Sequence, residues 1–247
     1  MTLIEEYCDQ LKLPYIKEFA KKEAEISQSK GDPYLDFLTR IMQQEIFNKQ
    51  SRSIQTKIKC AQFPSIKTRD SFDIKAIPTL DPKTINLLFE GSYSEKAQNI
   101  ILLGPSGTGK THLATALGVA ACQQNKSVLF QTASHLVHSL IEARDAKQLL
   151  LFQKKLMTYK VLIIDELGYV PFSNAGSEML FEVLAKRYEH GSVILTSNLP
   201  FEEWSHIFGS ERLTGALLDR ITHHAHIIPM NGESYRVASK LKKQNQQ

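Results

Sequence analysis

Cysteine is scarce in this 247-residue chain. Cys8, Cys60 and Cys122 are odd in number and scattered, which argues against a disulfide framework. No C-x-x-C occurs and all eight histidines lie at or beyond His112, so a zinc site in the N-terminal segment is not expected. The run His223 to His226 reads as a helix end and a strand start rather than as metal ligands. Apolar runs of about 18 residues, the length that spans a bilayer, are missing. The acids Glu5 and Glu6 are unlike a secretory signal, so the expected location is cytoplasmic, without a membrane partner. Charge is nearly balanced, with 30 Lys and Arg against 26 Asp and Glu, so composition by itself implies no nucleic-acid binding. No helix-turn-helix or zinc finger stands out, which speaks against base-specific reading of DNA.

What is present is a chain with 42% hydrophobic residues, enough to bury one α/β core and leave a smaller helical segment besides. The stretch "NIILLGPSGTGKTHLATALGVAACQQ" has two glycines, Gly104 and Gly109, spaced as in a phosphate-binding loop and followed by Lys110 and Thr111. Ile100 to Leu103 read as the strand before it and His112 to Gln123 as the helix after it, which is the order this loop requires. Glycine at 104, 107 and 109 lets backbone N–H groups turn inward around phosphate oxygens at the positive end of a helix. The loop Gly104, Pro105, Ser106, Gly107, Thr108, Gly109, Lys110 and Thr111 is therefore the candidate nucleotide cradle. Lys110 would reach the β- and γ-phosphates and the Thr111 hydroxyl would ligate Mg²⁺.

A second apolar strand, Val161 to Ile164 in "YKVLIIDELGYVPF", ends in two adjacent acids. An apolar run of this length fits a strand covered on both faces of a parallel sheet, with its carboxyl end at the ligand edge. Asp165 would hold magnesium through its water shell and Glu166 would accept a proton from the water attacking the γ-phosphate. That adjacency points to ATP hydrolysis. "DELG" also satisfies the D-x-x-G element of GTPases, but no N-K-x-D follows it; the Asn-Lys pair Asn125 with Lys126 lies before it. Transfer to a small acceptor suits the acid pair less well than activation of water. A further apolar strand, Val193 to Leu195, ends in Thr196, Ser197 and Asn198, of which Asn198 is the candidate to orient the water or sense the γ-phosphate.

The segments "GPSGTGKTHLATALG", "VLIIDELGYVPF", "RYEHGSVILTSNLPFEEWSHIFG", "LTGALLDRITHHAHII" and "GESYR" together resemble the IstB-like ATPases. These are AAA+ helpers of bacterial insertion-sequence transposition, relatives of the DnaC-like helicase loaders. The resemblance runs from about Asp32 to Arg236. It implies a P-loop NTPase AAA+ core, α/β in class, with a parallel sheet flanked by helices, and a small N-terminal helical domain. It implies ATP and Mg²⁺ as ligands, duplex DNA and the transposase of the same element as partners, and a homo-oligomer with ATP sites at subunit interfaces. A helicase loader is the alternative, and a non-catalytic ATP-gated binding module a third class. By the same resemblance Arg220 matches the arginine offered to a neighbour's nucleotide, with Arg212 competing for that role and Arg236 a weaker candidate for a second sensor.

The N-terminal part reads differently. Leu3, Tyr7 and Leu11 share a helical face before Pro14, and a second helix is expected from Asp32 and Pro33, a cap followed by proline in the first turn. Its apolar stripe is Tyr34, Leu35, Leu38, Ile41, Met42 and Ile46. Beyond it Lys49, Arg52, Lys57, Lys59, Lys67, Arg69 and Lys75 accumulate against Asp70 and Asp73. The expected organisation is a helical domain over 1–60 for DNA or partner binding, a basic linker over 61–75, and the ATPase domain over 76–247. With the resemblance, backbone contacts to DNA are the expected role of those cations, and Arg144 and Lys147 offer a second candidate surface.

Overall fold

The computed structural model describes residues 2–74 and 77–232. The chain divides into two compact units, Met1–Thr56 and Lys57–Gln247.

The first unit is helical: α1 (Leu3–Gln10), α2 (Pro14–Lys30) and α3 (Tyr34–Cys60), the last running past the division. Pro14 ends nothing but the connection: at the first position of α2 its missing N–H is no loss, and it opens a 17-residue helix that the sequence pattern did not reveal. α2 closes on Gly31 in the left-handed conformation, φ 67°. Glu45, buried on α3, accepts the Ile16 amide of the first turn of α2 at 2.9 Å, and Arg40 donates to Asp32 at 2.6 Å. Of the expected stripe on α3 only Ile41 is buried; Tyr34, Leu35, Leu38, Met42 and Ile46 are exposed, as are Leu3, Tyr7 and Leu11. So few helical residues cannot enclose all the apolar faces they carry.

The second unit is a five-stranded parallel sheet in the order β2-β3-β4-β1-β5. Its strands are β1 (Asn99–Leu103), β2 (Val128–Thr132), β3 (Val161–Leu167), β4 (Ser192–Ser197) and β5 (Ala225–Pro229). Helices α4 (Pro82–Phe89), α5 (Ser92–Glu95) and α6 (Lys110–Gln123) precede or follow β1; α7 (Ala133–Asp145) and α8 (Leu149–Met157) link β2 to β3; α9 (Asn174–Arg187) links β3 to β4. Then α10 (Trp204–Phe208) and α11 (Glu211–His223) lead into β5. One core joins Ile100, Leu102, Val161, Ile163 and Ile194 to α4 and α6; the other joins Ile101, Leu162, Ile164 and Leu195 to α7, α9, α10 and α11. Alternate residues of Val161 to Ile164 thus bury into opposite layers, which explains why the run is apolar throughout. Each fully buried side chain of this kind is worth roughly 1.5–3 kcal/mol.

The segment expected as a linker is anchored to this unit. The Ala61 carbonyl accepts the Phe130 amide at 2.8 Å, the Phe63 ring lies 6.3 Å from that of Phe130, and Phe72 is buried after a single 3-10 turn, Arg69–Ser71. At the starts of β3 and β4, the buried guanidinium of Arg187 donates to the carbonyls of Leu156, Tyr159, Lys160 and Ser192. Burial pulls its pKa down to about 10.

Candidate nucleotide-binding and hydrolysis site

A parallel sheet carries ligands at the carboxyl ends of its strands. Here β4 lies between β1 and β3, with Ser197 registered against Leu103 on one side and Leu167 on the other. The phosphate loop, the two acids and Asn198 all follow those ends, so they gather on one edge.

The loop leaves β1 at Leu103 and enters α6 at Lys110, two residues earlier than the sequence pattern indicated. Gly104, Gly107 and Gly109 have φ of 155°, 87° and 88°. Gly104 has a second constraint: a Cβ there would come within 2.3 Å of the Met230 carbonyl oxygen, so only glycine lets the chain after β5 pass. The Thr108 hydroxyl, buried, donates to the Pro105 carbonyl at 3.0 Å and tightens the turn. Lys110 donates to the loop's own carbonyls, Gly104 at 2.6 Å and Pro105 at 2.7 Å. The start of the 14-residue α6 supplies the positive end of a helix dipole. Pro105 and Ser106 are exposed at the rim. Behind the loop, the Phe72 ring sits 3.5 Å from where a Gly109 Cβ would stand and 5.5 Å from the His112 ring, while Ser71 Oγ and His112 Nε2 lie 2.9 Å apart.

Asp165 is 3% exposed. Burial raises its pKa, opposed by hydrogen bonds from Thr196 and Thr111 and by the charge of Lys110. The Thr111 hydroxyl lies 3.0 Å from each Asp165 carboxylate oxygen, and the Thr196 hydroxyl donates to Oδ1 at 2.6 Å. Glu166 takes φ 61°, and its side chain is exposed. Its amide donates to Thr196 Oγ1 at 2.9 Å. Ser197 Oγ donates to the Leu167 carbonyl at 2.7 Å. Asn198, the first residue beyond β4, is exposed on the same edge. Of the polar triplet, sequence reasoning singled out Asn198. The neighbours that hold the acid strand, Thr196 and Ser197, were visible only as polar residues ending an apolar strand.

Arg220 lies elsewhere. It occupies the last turn of α11, just before Ala225, which pairs with Asn99 at the start of β1. That is the edge of the sheet opposite the phosphate loop. Its guanidinium lies 5.2 Å from the centre of the Phe181 ring and donates to the Ala216 carbonyl at 3.3 Å. Arg212, two turns earlier on α11, lines a cavity of about 440 Å³ with Glu178, Phe181 and Phe208. Arg236 lies outside the described residues. Helix α11 ends at His223 and β5 begins at Ala225, as the histidine run indicated. Among the described residues no group of three side chains is placed to hold a metal on its own. No described helix is long and apolar enough to cross a membrane. Part of the basic cluster is already engaged: Lys57 donates to Asn125, while Arg69 donates to Asn86 and lies over the Phe89 ring.

The chain matches the family of IstB-like ATP binding proteins over residues 7–243. It is 42% identical over 247 residues to the insertion sequence IS5376 putative ATP-binding protein of Geobacillus stearothermophilus, covering 99% of this chain and 97% of that one. With the insertion sequence IS21 putative ATP-binding protein of Pseudomonas aeruginosa it shares 36% over 242 residues, covering 98% and 91%. Among solved structures, the DnaC helicase loader superposes with a TM-score of 0.51 at 21% identity, covering 60% of this chain and 87% of that one. AMPPCP-bound DnaA from Aquifex aeolicus gives 0.59 at 20%, covering 74% and 56%. Identities this low speak for the fold alone, and the fold is the P-loop AAA+ core.

Proposed function

This chain belongs to the IstB-like ATP binding proteins, and from that membership we propose that it is an ATPase that oligomerises on duplex DNA and recruits or stimulates the transposase of its insertion sequence. The hydrolytic part rests on one observation: the Thr111 hydroxyl 3.0 Å from both Asp165 oxygens, with Glu166 turned outward beside them. A hydroxyl and a carboxylate so placed suit Mg²⁺, which takes one or two protein ligands and completes its shell with water and phosphate. When bound, it neutralises charge developing on the β- and γ-phosphates. Lys110 exchanges the Gly104 and Pro105 carbonyls for phosphate oxygens, and the amides of the loop hold the phosphates in place. Asp165 would hold the ion through its water shell. Glu166 takes a proton from water as the water oxygen bonds to the γ-phosphorus and the bond to the bridging oxygen breaks, releasing ADP and phosphate. Asn198 orients that water.

The position of Arg220 at the far edge of the sheet supports its use at a neighbour's site, where such a finger is worth roughly 10³ to 10⁵ in rate. Assembly then precedes hydrolysis. The insertion-sequence names of the relatives support a transposase partner, and the protein acts in the cytoplasm. DNA or partner binding falls to the helical segment 1–60, whose exposed apolar stripe suits a protein partner, followed by the basic segment 61–75 and the ATPase domain 76–247. The runner-up, a replicative helicase loader, draws on the fold shared with DnaC.

Purified protein should hydrolyse ATP with a specific activity that rises with protein concentration and with added duplex DNA, because DNA raises the effective concentration of neighbours. Activity indifferent to both would remove the assembly from the reading. ATP-dependent capture of a replicative helicase in place of the transposase would select the loader.

A further inference from the structure

β3 and β4 leave regular pairing at one place. Ile164 is registered with Leu195 and Leu167 with Ser197, so three steps along β3 match two along β4. The extra residue is a bulge, in which Asp165 and Glu166 together face the single residue Thr196. Glu166 accordingly adopts φ 61°, a conformation that residues with a side chain rarely take. A bulge also removes an amide from the ladder, and a buried amide needs an acceptor. Thr196, 1% exposed, provides it: its Oγ1 accepts from the Glu166 amide at 2.9 Å and donates to Asp165 Oδ1 at 2.6 Å. The direction of both bonds is fixed, because the amide can only donate and the hydroxyl has one proton left to give.

We propose that Thr196 is a positioning residue for ATP hydrolysis, its single hydroxyl setting the backbone of Glu166 and the carboxylate of Asp165 in one fixed relation. This rests on the roles given to those two acids above. The hydroxyl acts through the acids, on the Glu166 amide and the Asp165 carboxylate. It holds Asp165 Oδ1 from the side of β4 while Thr111 approaches from α6, so the carboxylate plane is set by two elements. It also holds the bulge whose left-handed residue sends Glu166 outward. Valine has the shape of threonine without either bond; serine keeps both bonds without the methyl.

The test compares T196V, T196S and E166Q in the full-length protein. T196V should bind a fluorescent ATP analogue within about twofold of the parent yet lose about 10- to 100-fold in kcat, the usual cost of losing an outer-shell partner. Hydrogen exchange should be faster in its peptide spanning Glu166, and T196S should recover most of the lost turnover. Parental turnover in T196V overturns the proposal, as does equal loss in T196V and T196S in step with a lowered melting temperature. If T196V does not fold, Thr196→Cys, whose thiol donates and accepts weakly, takes its place under the same readings. E166Q separates the layers: an inactive E166Q with a fully active T196V removes only the role of Thr196, whereas an active E166Q removes the role of Glu166 on which it rests.

Discussion

The two ends of the β3–β4 pair bury charge in opposite ways. At their starts the Arg187 guanidinium, 2% exposed, is held by four backbone carbonyls with no carboxylate among its hydrogen-bond acceptors. At their ends the Asp165 carboxylate, 3% exposed, is held by two side-chain hydroxyls with an exposed acid beside it. Carbonyls of packed strands and loops cannot turn away, so the arginine end is closed and structural. Hydroxyls rotate and change partners at little cost, so the aspartate end is able to exchange a protein bond for a metal or a phosphate. Buried charge is therefore a poor mark of function by itself; exchangeable partners and an exposed neighbour separate one end from the other.

The largest effect should come from Arg220, which lies on the arginine end of the sheet but half-exposed over Phe181. Arg220→Ala should bind ATP and lose roughly 10³-fold or more in turnover. Lys110→Ala should lose ATP binding while keeping its finger. Mixing the two inactive variants should restore partial activity at mixed interfaces, measured as phosphate release. Mixtures that co-assemble but stay inactive would place Arg220 within its own subunit or make it structural, and would move the test to Arg212.

Next in size is the acid end. Glu166→Gln keeps shape and removes the base, so turnover should fall by about 10² to 10⁴ with ATP affinity retained. Its urea unfolding midpoint should stay near the parent's, since the Glu166 side chain is exposed. The smallest effect on chemistry belongs to the closed end. Arg187→Met should cost about 2–4 kcal/mol of stability in urea unfolding, because buried carbonyls lose their donor. Turnover per folded molecule should not change. A loss of turnover without a loss of stability would erase the contrast between the ends.

Much of the AAA+ unit was legible along the chain. The strand, loop and helix around Gly104 to Thr111, the acid strand, and the turn from α11 to β5 lie where local pattern indicated, because glycine sterics, apolar runs and caps act over a few residues. α2 was missed because Pro14 carries two meanings, a stop for one helix and a start for the next. On α3 the periodicity identified a face, but burial needs a partner, and of six stripe residues only Ile41 has cover. Segment 61–74 was read from its charges, while Ala61, Phe63 and Phe72 pack in or against the core of the AAA+ unit.

The sequence by itself determined the phosphate loop and the adjacency of Asp165 and Glu166, since both depend on neighbours in the chain. Only the tertiary structure decided that β4 lies between the loop strand and the acid strand, that Arg220 sits on the opposite edge from the phosphate loop, and that Thr196 bonds both the Asp165 carboxylate and the Glu166 amide. Those facts depend on strand order and register. A bulge of one residue changes which side chains meet, and its cost and reward are settled between segments about thirty residues apart, where no local pattern of spacing or propensity reaches.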